Sequence, residues 1–454
     1  LGLSGPGHVE RLADNKKNSR KGAEHSNLER GKPMKHLLAS GAVGVGLLIG
    51  SSTMASAQSC EISIGSVLSI TGSMAAIGSA IGDAGKLAVD HFNEAGGVND
   101  CSVKYILRDD QGSPNVGVDA AKTLVEIEKV PVLLGAIQSG VSLPILTSVT
   151  VPAKVTQISC CSSAPSFTTL AAEGGTQGYW FRTLPTDRPQ AAVLAKIAAE
   201  RGYKKIAIIH VNSDYGVSLA GRFKQDIEKL GVTVTNMVAY NQEQASYRAE
   251  VNAALQGEPE ALFLVAFPAD GATVTREWIS FGGPQKFVFS NALRADEFVE
   301  SVGAEYLADA FGIDNAQVEG ESVDAFNKAW EAAFGSAPNG PGLHTMYDAA
   351  AVALLAMEQA GEATGTAIRD NIRKITSGDG EVIYPGVEGF KKAKQLISEG
   401  KAIRYVGATG PLEFDQNGDV TGPYLIWGVK DGELVTLDKW DNQRVSAAIG
   451  EIDN

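Results

Sequence analysis

Two serine-rich loops bracket one predicted helix in this chain: Ala136-Ile137-Gln138-Ser139-Gly140 and Ser159-Cys160-Cys161-Ser162-Ser163-Ala164-Pro165. Each follows a short apolar run, residues 130–134 and 155–158, and the stretch between them, 142–150, reads as a crossover helix. In a parallel α/β sheet, loops leaving the carboxyl ends of neighbouring strands face one crevice, and such sheets bind ligands there. Hydroxyls and free backbone N–H groups at helix starts suit a carboxylate or another small anion. The pair therefore reads as half of a binding site, with plain Ser/Gly turns as the alternative.

All four cysteines fall after residue 57: Cys60, Cys101, Cys160 and Cys161. Cys60 precedes the first predicted strand and Cys101 the second. Neighbouring parallel strands begin at the same sheet edge, so a Cys60–Cys101 disulfide is expected, in keeping with an oxidising compartment. Cys160-Cys161 sits inside the second serine loop. The adjacent pair either closes an eight-membered disulfide ring, giving the loop a flat sulfur face, or remains two small thiols. After the leader only His91, His210 and His344 remain, widely scattered, so neither a metal site nor a bound cofactor is expected.

The elements that must hold these loops begin after a leader. Met34-Lys35-His36 is a short basic start, residues 37–50 are apolar and small, and Ala55-Ser56-Ala57 has the small-x-small form of a cleavage site. Residues 34–57 thus read as a signal peptide and residues 1–33, polar and without periodicity, as an upstream extension. The apolar stretch is short for a membrane span, and Ala57-Gln58-Ser59-Cys60 lacks the apolar residue of a lipoprotein box. An exported, periplasmic protein is expected. The whole chain has 454 residues and a formal charge of −14; beyond residue 57 it holds 31 basic and 49 acidic residues, or −18. That balance argues against nucleic acid and anionic membrane as partners. The remaining 397 residues exceed one typical core, so two domains are expected.

A β-α rhythm runs through both halves. Strand 62–68, helix 82–95, strand 103–107, helix 114–129 and the two serine-loop units imply a parallel sheet covered by helices. After Leu184-Pro185 the rhythm restarts, with strands predicted at 205–210, 233–240, 261–266 and 286–290 and helices between them. An Ala/Leu-rich helix over 347–361 fits back against the first lobe. The tail, 410–438, reads as paired strands around the turn Asp415-Gln416-Asn417-Gly418-Asp419. Crossings near Leu184-Pro185, Gly312-Ile313 and 410–414 are hinge candidates. The lobes are expected over 58–184 with 314–410, and over 185–313 with 411–454.

The order Ile64-Gly65, Thr71-Gly72, Asn93-Glu94-Ala95-Gly96-Gly97-Val98, Asp109-Asp110, Gly135 to Ser139, Ser159 to Pro165 and Asp214-Tyr215-Gly216 resembles a known family. It is similar to type I periplasmic substrate-binding proteins of the leucine/isoleucine/valine group, which serve ABC importers. The likeness runs over residues 60–440. It implies an α/β fold of two doubly wound parallel-sheet lobes joined by a three-stranded hinge. It also implies a monomer that traps a small carboxylate-bearing molecule and hands it to a membrane permease. By that resemblance, Ser139 and the loop Cys161-Ser162-Ser163 hold the carboxylate, Tyr215 approaches from the other lobe, and Phe267 supplies an aromatic contact. The acid that the family sets against an ammonium is replaced by Asn291, which carries no counter-charge, with Asp270 or Asp296 as nearby substitutes. Ile77 stands where branched-chain binders place an aromatic residue.

A sensor reporting to a receptor fits the same fold. A hydrolase fits poorly, since it needs a nucleophile with a positioned base. Ser139 and Ser163 have no histidine near in sequence, and His210, at a strand end, is the one candidate. The run Gly72 to Gly78 is a poor match to a dinucleotide fingerprint.

Overall fold

Short runs of β-branched and aliphatic residues between turn signals become strands, and the computed structural model, which describes residues 60–453, gathers them into three sheets. The leader, the upstream extension and the residues before Cys60 lie outside the described residues. Strands β1 (Glu61–Leu68), β2 (Ser102–Asp109), β3 (Val132–Gly135), β4 (Thr156–Ser159) and β5 (Trp180–Arg182) form an all-parallel sheet in the order β2-β1-β3-β4-β5. Strands β6 (Lys205–Val211), β7 (Thr233–Tyr240), β8 (Ala261–Val265), β9 (Phe287–Phe289) and β10 (Phe311–Asn315) are the parallel part of a second sheet. A small third sheet holds β11 (Glu381–Ile383), β12 (Ile403–Gly407) and β13 (Gly410–Pro411). The chain then returns to the second sheet as the antiparallel hairpin β14 (Tyr424–Lys430) and β15 (Glu433–Trp440), giving the order β15-β14-β10-β9-β8-β6-β7.

Both parallel sheets reverse their strand order once, between β1 and β3 and between β6 and β8. Those reversals open a crevice at the carboxyl ends of the strands. Strands β3, β4 and β8 are buried along their whole length, as parallel strands covered on both faces must be. Helix α1 (Ala75–Glu94) lies beside the long helix over Leu343–Ala360, whose residues Leu343 to Met357 are all buried. A helix buried on every side belongs in a core, and this one closes the first lobe with residues from late in the chain. Among the described residues no helix is long and apolar enough to cross a membrane.

Three sequence expectations shift. Helix α1 starts at Ala75 rather than 82, after a short helical turn over Gly72–Met74. The crossover helix α2 (Ser139–Ile145) starts three residues before the predicted 142 and runs on through a wider turn over Leu146–Thr150, which puts Ser139 in its first turn. The tail hairpin turns at Asp431-Gly432, not at Asp415-Asp419. Asp415 accepts the backbone N–H groups of Asn417 and Asp419 in a side-chain-capped loop, a local turn that mimics a hairpin in sequence.

That loop delivers Asp419 to Arg182, at the end of β5. The Arg182 side chain is fully buried: Nε donates to Asp419 Oδ1 at 2.6 Å, one terminal nitrogen to the Ser162 and Ala164 carbonyls at 3.0 and 2.9 Å, and the other to Thr168 at 2.7 Å. Cys60 and Cys101 form a disulfide beside the first two strands, with their Cα atoms 4.8 Å apart and 41 positions between them in sequence.

Removing Arg182 strands a buried carboxylate and two loop carbonyls. Arg182→Ala is expected to destabilise the protein by about 3–5 kcal/mol, and Arg182→Lys to recover little because an ammonium lacks the planar fork. Urea unfolding of the three proteins measures this. Cys101→Ser should cost about 2–4 kcal/mol through the loop it opens. Peptide mapping without reductant should recover residues 60 and 101 in one linked fragment.

Candidate ligand-binding site

The loops at the two sheet reversals meet around a small, narrow cavity. From the first sheet come Met74, Ile77 and Ile81 on one face of the α1 segment, Ile137, Gln138 and Ser139 after β3, and Cys161 after β4. Pro341 adds to this side. From the second come Tyr215, in helix α3 (Asp214–Lys229), Phe267 after β8, and Asn291 with Ala292 after β9. The balance of apolar wall to a few polar groups is that of a ligand pocket.

Two glycines let the helices approach. A Cβ on Gly78 would lie 1.9 Å from the Ser69 carbonyl oxygen, and one on Gly216 would lie 1.9 Å from that of Val211. Each helix thereby rests on the exit of its own first strand, and the residue just before each glycine, Ile77 or Tyr215, is carried to the cavity wall. The first loop is held by its neighbour strand: Asp109 accepts from the backbone N–H groups of Ile70 and Thr71 and from the Thr71 hydroxyl, and Asp110 from the Ser69 hydroxyl and the Gly112 N–H.

Tyr215 stacks on Phe267 with ring centres 5.8 Å apart and donates its hydroxyl to Asn291 Oδ1 at 2.8 Å. Burial pushes the Tyr215 pKa far up, so the phenol stays protonated and remains a donor. The Asn291 N–H donates to Gln190 Oε1 at 3.2 Å, fixing the loop after β9. Across the crevice, Gln242 Nε2 donates to Gln138 Oε1 at 3.2 Å, a direct bond between loops of the two sheets. Ser139 Oγ accepts from the Ala164 N–H at 3.3 Å, so the two serine loops are tied together.

Of the residues singled out from sequence, Ile77, Ser139, Cys161, Tyr215, Phe267 and Asn291 are brought together on the wall. Ser162 and Ser163 are not. The Ser162 hydroxyl is taken up by the Ala136 and Ile137 carbonyls and by Ser142, so it braces the loop from behind. Ser163 lies beside Asp187, its hydroxyl buried without a well-formed hydrogen bond. Burial raises the Asp187 carboxyl to about 6 against the hydroxyls of Ser163 and Ser218. Asp296, offered as a substitute for the missing acid, begins a helix over Asp296–Val302 and accepts from Asn339 instead. His210 is buried at the end of β6 with Nδ1 against the Val211 carbonyl, and burial lowers its pKa.

Gln138 was passed over in choosing contacts, although it lies in the first serine loop. Met74 and Ile81 are further wall residues that the sequence reading does not name, because it begins the first helix at residue 82. Their three- and four-residue spacing about Ile77 was the available signal for a helix face. Cys160 and Cys161 are joined in a vicinal disulfide, and Cys161 presents that ring to the cavity.

The comparisons with known proteins agree with this geometry. A family model described as periplasmic binding protein matches residues 61–418. A chemotactic signal transduction system substrate-binding protein, BasB, of Halobacterium salinarum is 28% identical over 384 residues, 83% of this chain and 89% of that one. Leu/Ile/Val-binding protein homolog 3 of Brucella melitensis is 26% identical, over 85% of this chain and 95% of its own. The solved leucine-binding protein LivK of Thermotoga maritima superposes with a TM-score of 0.71 at 21% identity, covering 84% and 99% of the two chains. A benzoate-bound solute-binding protein of R. palustris superposes at 0.67 with 15% identity, covering 84% and 96%. With the family model matched over most of this chain, and with two sheets that converge on one crevice, the chain belongs to the periplasmic binding proteins and is a solute-binding protein.

Proposed function

We propose that this chain is the exported capture component of an ABC importer, taking a small carboxylate-bearing solute into the crevice and presenting it to a membrane permease. The observation that carries the reading is the cavity itself. Loops from two independent sheets enclose it, with hydrogen-bonding groups at Gln138, Ser139 and Asn291 above an apolar floor. In this reading the segments 58–184 with 314–410 and 185–313 with 411–454 move as two bodies about three crossings, and the leader over 34–57 directs a monomer to the periplasm. The bond between Gln242 and Gln138 belongs to the closed arrangement.

A sensor is the second reading, supported by the resemblance to the chemotactic BasB protein. Growth tests on a gene deletion separate the two. Loss of uptake of the labelled solute supports the importer, whereas intact uptake with lost chemotaxis supports the sensor.

Thermal-shift screening against amino acids, aliphatic and aromatic acids and amides should find a solute that raises Tm by mass action. With that solute, Ser139→Ala and Tyr215→Phe are each expected to weaken binding about tenfold by calorimetry, as removal of one hydrogen bond to a charged or buried group does. The melting temperatures without solute should change little. Unchanged affinity in both variants removes these residues from the site. Small-angle scattering should also show a smaller radius of gyration on adding the solute.

A further inference from the structure

Hydrogen-bond accounting at the cavity wall narrows the solute further. Every lining side chain is uncharged. Gln138 is 4% exposed; its Oε1 is occupied by Gln242, and its Nε2 is buried with no partner among the described residues. Asn291 Oδ1 is occupied by Tyr215, which leaves the two Nδ2 protons unassigned. Ser139 Oγ already accepts from Ala164, which leaves its proton to donate. Three wall side chains therefore carry donors with no partner among the described residues, Gln138 Nε2 lying against Gly112, while an acceptor of each is engaged.

Two buried carboxylates lie close by but not on the wall. Asp187 receives Ser218 at 3.0 Å and Gln190 at 3.5 Å. Asp270 receives the Tyr247 hydroxyl and the Glu243 N–H on one oxygen, and its other oxygen is buried and unpaired. A ligand ammonium in the cavity would lose its water and meet donors, an arrangement that costs several hydrogen bonds.

We propose that the solute is a carboxylate with an apolar body and no cationic amine, its oxygens receiving Gln138, Ser139 and Asn291 while the body lies on Ile77, Ile81 and Phe267. The proposal rests on the solute-binding reading above and specifies its ligand class. A carboxylate is acceptor-only and matches the donor set, and neutral donors in a dry site hold it without a lysine or arginine. An amide head would bring two further donors into the same wall.

The test is calorimetry with matched pairs on one carbon skeleton: 4-methylpentanoate against leucine, and 3-phenylpropanoate against phenylalanine. The deaminated acid is expected to bind about tenfold or more tightly in at least one pair. Asn291→Asp, which turns a donor into a charged acceptor, should reverse that preference. Gln138→Glu gives the same reading from the other side of the cavity should Asn291→Asp fold poorly. An amino acid that binds as tightly as its deaminated partner overturns the proposal, and loss of that amino acid's binding in Asp270→Asn would name its true ammonium partner. Binding of a neutral amide or polyol alone overturns the ligand class and leaves the solute-binding reading standing. If no small solute shifts Tm or gives heat, both fall.

Discussion

Arg182 is a guanidinium with no exposed surface, and the cleft depends on how its charge is satisfied. Its partners come from two places far apart in sequence: Asp419, from the segment entering the last hairpin, and the carbonyls of Ser162 and Ala164, in the loop after β4. Taking such a charge out of water is costly, and the attraction to one carboxylate offsets it only when the remaining N–H groups are also bonded. Because they are, the serine loop has a single seating. Its inner hydroxyls, Ser159 and Ser162, close the same network from the other side through Ala136. Cys161 is then the member of the loop left to face the cavity. The ion pair also ties the end of the first sheet to the return segment, so the scaffold of one wall is anchored at a crossing point.

The site is built differently from this frame. The frame uses full charges paired in the interior, at Arg182 with Asp419 and at Arg294 with Asp314. The wall uses hydroxyls, amides and apolar surface. With no charged side chain on the wall itself, selectivity is left to hydrogen-bond direction, where a mismatched donor is penalised more than a matched one is rewarded. The apolar part of the wall serves both ends, since Met74, Ile77, Ile81, Tyr215 and Phe267 line the cavity and belong to the buried core.

Much of the fold was legible because parallel strands are continuous apolar runs and their helices carry a 3.6-residue period. Of the residues named from sequence that lie on the cavity wall, Ser139, Cys161, Tyr215, Phe267 and Asn291 share one property: each follows a strand end or opens a helix. What was not legible depended on direction or distance. Ser162 and Ser139 are alike in type and loop context, and only the packing turns one hydroxyl inward to Ala136 and leaves the other at the cavity. Asp419 lies 237 positions from Arg182, and no local pattern pairs them. The predicted helix 82–95 leaves Gly78 outside it, whereas Gly78 sits within a helix that starts at Ala75 and lets it touch a strand end.

That use of glycine has a consequence for how this binding surface can vary. In both lobes the contact residue and the position that seats it are adjacent: Ile77 before Gly78, Tyr215 before Gly216. A side chain at the second position of either pair would drive the helix off its sheet. Replacement at the first position alters what the pocket touches and leaves that seating unchanged. The cleft thus has two places where the ligand repertoire can drift without renegotiating the architecture, one on each jaw.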